Sequence, residues 1–210
     1  MVDDYRNTKY CPNLDDVASK KQEVVNLIKK DFPNAVDMHN YLRKNEGEYK
    51  VPFMKAYNCK CAYCGVSIDL IKKDAFEIDH YICQNDPRFS TKKEAGYIEN
   101  LILACHDCNH KKRSFVIPAR EEKKLHPDAS EIRRTFWRDD LYYIKISESE
   151  KTNSTIVEFY KQLKLGTEVH RLDFLLMNMI GLQRKYSEKG ELCLELGKIV
   201  DMLRIKRNMM

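Results

Sequence analysis

Cys61-Ala62-Tyr63-Cys64, then Glu77-Ile78-Asp79-His80, then Asn100-Leu101-Ile102-Leu103-Ala104-Cys105-His106-Asp107-Cys108-Asn109-His110-Lys111-Lys112 form one constellation. Two Cys-x-x-Cys pairs bracket an acid–histidine dipeptide. Each such turn can place two thiolates on one ion at about 2.3 Å, and four thiolates make a closed tetrahedral zinc site. The forty residues between Cys64 and Cys105 exceed the spacing of a zinc ribbon, so something folded must fill the gap. The sequence offers the parts. Residues 76–82 alternate apolar and polar like a strand, and residues 101–104 read as a short buried strand. Residues 106–114 read as a helix that ends before Pro118. Cys59-x-Cys61 offers a competing ligand register, but Cys61 and Cys64 have the better spacing. His106 enters the set only if one pair is broken.

A chain of 210 residues, 43% apolar and 33% charged, holds one domain with extensions or two small ones. The net charge of +5 alone does not point to nucleic acid. Its distribution says more. Lys111, Lys112, Arg113, Arg120, Lys123 and Lys124 crowd the second cysteine pair, and Arg88, Lys92 and Lys93 lie upstream. Basic charge beside a metal motif suits a polyanionic substrate, although basic runs are also ordinary solvated surface. Residues 1–6 lack the apolar core of a secretion signal, and the apolar stretch 174–182 is too short to span a bilayer. The expectation is a cytoplasmic chain with reduced thiols and no membrane association. Cys11, Cys59, Cys83 and Cys193 are then small buried or partly exposed residues. Seven glycines without a Gly-x-x-x-x-Gly-Lys-Ser/Thr run exclude a P-loop, so an ATP-driven step would need another protein.

The periodicity predicts helices over 15–30, 36–43 and 53–57, with Val17, Val24, Leu27 and Ile28 near one face of the first. Residues 84–99 read as a long loop. Residues 141–146 read as a strand, followed by helices over about 154–165, about 167–188 and from Gly190 onward. The expected organisation is a helical extension over 1–52, a metal-stapled core over 53–117, and a C-terminal extension over 118–210. The fold class is α+β, mostly helical overall.

Asp79-His80, Asn100 and Asn109, set between two Cys-x-x-Cys pairs, resemble the HNH endonuclease family, the ββα-metal nucleases. The resemblance covers roughly residues 53–115 and requires all of these elements together. It implies a zinc-stapled ββα core in which zinc is structural on Cys61, Cys64, Cys105 and Cys108. It implies that His80 ends the first strand as general base and that Asp79 binds the catalytic metal. Asn100 would pin the loop between the strands, and Asn109 would be the second metal ligand, which makes an HNN variant. Mg²⁺ or Mn²⁺ would be the catalytic ion and DNA the substrate. A small HNH chain with helical extensions also resembles nuclease subunits of bacterial anti-phage systems, including Septu-like ones paired with an ATPase. Such a partner would dock on the helical C-terminal extension.

Elementary chemistry agrees with these roles. An imidazole near its pKa takes a proton from water at neutral pH. Magnesium held by few protein oxygens keeps positions open for phosphate and water. On a helix, His106, Asn109, His110 and Arg113 share one flank, with Cys105 and Cys108 on the adjoining one. His110 reads as a third ligand, a phosphate contact or a solvated histidine. Lys111, Lys112 and Arg113 read as phosphate contacts or as an ordinary exposed helix end. Glu77 shares a face with Asp79, as support or as plain strand surface. Regular alternation sends Asp79 and His80 to opposite faces, so both reach one site only where the strand ends or bends. Competing readings are a restriction or homing endonuclease and, in another class, a non-catalytic zinc module or adaptor that binds nucleic acid.

Overall fold

The computed structural model describes residues 4–44 and 46–210. Residues 1–3, at the start of the expected N-terminal extension, and Asn45 lie outside them. Helix α1 (Val17–Asp31) buries Val17, Lys21, Val24, Val25 and Ile28. Val25 takes the inward place expected of Leu27, which is exposed. Helix α2 (Met38–Lys44) and a π-helical turn at Glu46–Lys50 lead into α3 (Val51–Ala56).

Strand β1 (Phe76–His80) pairs antiparallel with β2 (Leu101–Cys105), with Phe76 opposite Cys105 and His80 opposite Leu101. All five residues of β2 are buried. Helix α4 (His106–Lys112) starts on the residue after β2 ends. The loop between the strands is less open than its composition suggests. It carries 3₁₀ turns at Glu94–Gly96 and Ile98–Asn100. Gly96 is where Asp37 crosses it: a Cβ there would lie 2.0 Å from the Asp37 Oδ1.

Two short helices follow, α5 (Glu122–Leu125) and α6 (Ile132–Thr135). The strand expected over 141–146 is half of a hairpin, β3 (Phe136–Arg138) with β4 (Ile144–Ile146). Leu141 and Tyr142 form its turn, where the Asp139 carboxylate accepts from the backbone N–H groups of Leu141 (3.0 Å) and Tyr143 (2.8 Å). The three expected C-terminal helices are α7 (Ser154–Gln162), α8 (Glu168–Lys185) and α9 (Gly190–Asn208). Asn153 caps α7 by accepting from Ile156 N–H.

One hydrophobic cluster runs from Tyr5 to Leu165, across residues 52/53 and 117/118. A smaller one, with Leu176, Ile180 and Val200, joins α8 to α9. Among the described residues no helix is long and apolar enough to cross a membrane. The N-terminal arm is fastened to the core by polar bonds. The buried Arg6 guanidinium donates to Asp4 (2.7 Å), to the carbonyl of Ala62 (2.6 Å) and to that of Pro127 (2.8 Å). Gly65, at φ +82°, leaves room for this arm; a Cβ there would lie 2.6 Å from the Arg6 carbonyl oxygen. Arg6→Ala leaves the buried Asp4 carboxylate only its longer pair with Arg133 (3.4 Å) and orphans two carbonyls, so it should destabilise the zinc-loaded protein by about 3 kcal/mol. Equilibrium urea unfolding measures this, and a loss below about 1 kcal/mol would contradict the role given to Arg6.

Candidate metal centre and active site

The turn at Cys61–Cys64 meets the junction of β2 and α4. The Sγ atoms of Cys61, Cys64, Cys105 and Cys108 all lie within 4.8 Å of one another, and all four residues are buried. Backbone bonds hold each half. Cys61 N–H donates to Val66 O at 2.8 Å, and Ala62 N–H to Leu103 O at 2.8 Å, which ties the turn to β2. On the other side, Cys105 caps α4 by accepting from Cys108 N–H at 3.5 Å. The chemistry of the cluster asks for a cation. Hydrogen bonding with Cys105 and burial push the Cys64 and Cys108 thiols well above the ordinary thiol range. Four buried thiols cannot all ionise without a positive partner, and a zinc ion supplies it by displacing their protons. The donor set fits zinc, with no open position for chemistry. The other four cysteines are free thiols.

Helix α4 packs against the face of β1 that carries Glu77 and Asp79, and the two carboxylates meet different partners. Asp79 is buried. It accepts from Tyr63 OH at 2.6 Å and pairs with the Lys112 ammonium at 3.0 Å. Lys112 also donates to the His80 carbonyl at 2.8 Å. Burial raises the Asp79 carboxyl above its ordinary range despite Lys112 and Tyr63. Lys112 was expected as a phosphate contact, but its side chain is fully buried and cannot reach a substrate. Its four-carbon stem lies in the core, and its charge neutralises Asp79.

Glu77 stands nearer the surface. It accepts from Asn109 Nδ2 at 2.5 Å and bonds His106 Nδ1 at 2.6 Å. Burial pushes its carboxyl up, but the bonds to His106 and Asn109 prevail and hold it below the ordinary range. His110 stacks on His106 with ring centroids 5.6 Å apart. Asp79 and Asn109, expected to share a hard cation, therefore have separate partners. Asp79 fits such an ion poorly while Lys112 holds it. Across β1 and α4 the Asn109 amide meets Glu77 instead, through its Nδ2 and not its oxygen.

His80 closes β1 on the opposite face, as alternation requires. Its half-buried ring lies 4.4 Å from that of His39 on α2. Burial, His39 and Lys112 together lower its pKa to about 4, so at neutral pH the ring is uncharged and carries a free nitrogen lone pair, less basic than that of an ordinary imidazole. His39 stands forty-one residues from His80 without a motif of its own, so nothing in the sequence marks it. Asn100 lies at the root of the loop. Its Oδ1 accepts from Ile82 N–H (2.8 Å), and its Nδ2 donates to Ile82 O (3.0 Å) and Ala95 O (2.8 Å). That satisfies a buried amide and closes the loop. Lys111 pairs with Asp107 at 2.6 Å, and Arg113 is exposed.

Residues 61–115 match the family model described as HNH endonuclease, about a quarter of the chain. The match runs from the first zinc-site cysteine to just beyond α4. No curated protein and no solved structure matches the chain.

Two outcomes follow from this geometry. The purified protein should carry one zinc per chain, and Cys105→Ser should lose it along with much of the cooperative unfolding transition. Metal analysis with thermal melts checks this, and a zinc-free wild type or an equally stable variant would contradict it. The second outcome concerns His80. Its folded pKa lies below the 6.5 of an ordinary imidazole, so the unfolded state binds the extra proton. Stability from this group is then complete above pH 6.5 and falls as the pH drops towards 4. The ring proton of His80 should titrate near pH 4 by NMR; a midpoint near 6.5 would show the ring to be solvated.

Proposed function

We propose that this chain is a metal-dependent endonuclease that hydrolyses phosphodiester bonds of DNA. The observation behind the reading is the placement of Asp79-His80 at the end of β1, joined by the four-cysteine cluster to a helix bearing Asn109 directly after Cys108. His80 is uncharged at neutral pH and half-exposed. One of its ring nitrogens takes the proton of a water as that oxygen attacks phosphorus. The P–O ester bond to the leaving sugar oxygen breaks, and that oxygen is then protonated. Asn100 keeps the loop after β1 in register, so that the His80 backbone stays where Lys112 can grip it. A hard divalent cation such as Mg²⁺ or Mn²⁺, when bound, neutralises charge on the phosphate. We assign Asp79 and Asn109 as its protein ligands at the end of β1, which requires the Asp79 carboxylate to leave Lys112 and the Asn109 amide to turn from Glu77.

A second reading has one observation in its favour. Asp79 is sealed by a lysine, which is how a zinc module that binds nucleic acid without cutting it would dispose of a buried acid. The setting in anti-phage defence rests on the resemblance, and a protein partner on the tail has Leu194, Met202 and Ile205 exposed on α9 to dock against. Unaltered phage plating on cells that express the chain with its neighbouring genes would remove that setting.

Cleavage of supercoiled plasmid decides between nuclease and binding module. Wild type should nick or linearise it only with Mg²⁺ or Mn²⁺. His80→Ala should remain folded and zinc-loaded and be slower by at least about a hundredfold, the usual contribution of a general base. Equal activity in the two proteins, or cleavage in divalent-free buffer, would overturn the mechanism.

A further inference from the structure

The end of α4 and helix α7 form the walls of an open groove of about 530 Å³. His110, Lys111 and Arg113 line one wall, and Lys161, Gln162 and Lys164 line the other. Glu158 is the one carboxylate in the lining, against four cations. Lys111 is partly neutralised by Asp107. Arg113, Lys161 and Lys164 are exposed, and none makes an ion pair with any described residue. Unpaired cations facing each other across a cleft focus a positive field on it.

The backbone adds a second observation. Arg113 sits at φ 50°, ψ −130°, and Lys164 at φ 53°. These are conformations that glycine adopts freely and other residues adopt at a cost. Arg113 is the C-cap of α4 and Lys164 follows Leu163, the C-cap of α7, and at each a long cationic side chain occupies the glycine-like position. The walls are also held together. Gln162 Nε2 donates to the Lys111 carbonyl at 2.7 Å, and Phe115 packs edge-on against Phe159 with centroids 5.5 Å apart. The groove begins beside Glu77 on the helix face of β1, because His110 stacks on His106, which bonds Glu77.

We propose that this groove is a track for a nucleic-acid backbone, in which Lys161 and Lys164 of the C-terminal extension contact phosphates opposite Arg113 and His110. The proposal rests on the nuclease reading for its substrate class and goes beyond the matched residues 61–115. It gives α7 a part in binding. Phosphate contacts of this kind position the strand and carry no sequence information.

The test uses the full-length, zinc-loaded chain and its Lys161→Gln/Lys164→Gln variant. Binding of fluorescent duplex DNA, single-stranded DNA and duplex RNA is followed by anisotropy from low to moderate salt. Wild-type affinity should fall steeply with salt for at least one probe. The variant should bind that probe more weakly, with a log–log salt slope shallower by about two, one for each lost phosphate contact. Zinc content and melting temperature should match wild type, and Lys198→Gln on α9 should leave the slope unaltered. Which probe responds identifies the nucleic acid. Equal slopes in wild type and variant, or no binding of any probe by wild type, would overturn the track. The nuclease reading fails separately. A wild type that never cuts plasmid but shows the slope change keeps the track, whereas His80-dependent cleavage with equal slopes loses the track and keeps the nuclease.

Discussion

Four thiols brought to one buried point are the constraint on which the rest of this molecule depends. A two-stranded hairpin of five-residue strands is marginal in water, and a seven-residue helix is shorter than any that persists alone. Cys105 serves three purposes at once. It ends β2 opposite Phe76, caps α4 through its sulfur, and supplies a ligand. With Cys108 one helical turn on, the orientation of α4 is set, and with it the positions of Asn109, His110 and Lys112. A metal that crosslinks these two cysteines to Cys61 and Cys64 closes a loop of forty residues and fixes the face of β1 on which the helix rests.

Charge then divides β1 into two environments. On the helix side, Asp79 is locked by Lys112 and Tyr63 while Glu77 reaches the surface with His106 and Asn109. Removing Lys112 alone would leave an uncompensated buried carboxylate, which makes this pair a strong structural constraint whatever chemistry is done nearby. On the other side, His80 meets His39 and stays uncharged. Lys112 links the two sides, because the same ammonium holds the Asp79 carboxylate and the His80 carbonyl. The end of β1 is thus rigid, which the proposed hydrolysis needs in order to hold a water and a phosphate within a narrow range of positions.

Much of this was legible in the residues. The cysteine spacing, the alternating run at 76–82 and the apolar run at 101–104 are local signals, and they identified the hairpin, the helix and the metal cluster. Asn100 was legible only through the resemblance, which gives it the loop-pinning role; the structure supplies the physical reason, a buried amide satisfied by Ile82 and Ala95. What escaped depends on tertiary geometry. Lys112 reads as one more cation at a helix end, and only the phase of α4 against β1 turns it inward. His39 reaches His80 because α2 packs on the hairpin, which no spacing reveals. Glu77 was seen as a neighbour of Asp79, but its bond to Asn109 follows from the antiparallel register and the angle of α4. Lys161 and Lys164 lie some fifty residues from Arg113 and join it only through the Gln162 bond and the Phe115–Phe159 contact.

The separation of a closed thiolate cage from the chemistry proposed for His80 is the central claim, and X-ray absorption at the zinc edge tests it most directly. The purified protein should give four sulfur scatterers at about 2.3 Å and no nitrogen or oxygen ligand, with a spectrum unchanged by magnesium or by bound nucleic acid. A nitrogen or oxygen ligand on zinc, or a spectrum that shifts when nucleic acid is added, would place the zinc in the reaction and contradict the division of labour described here.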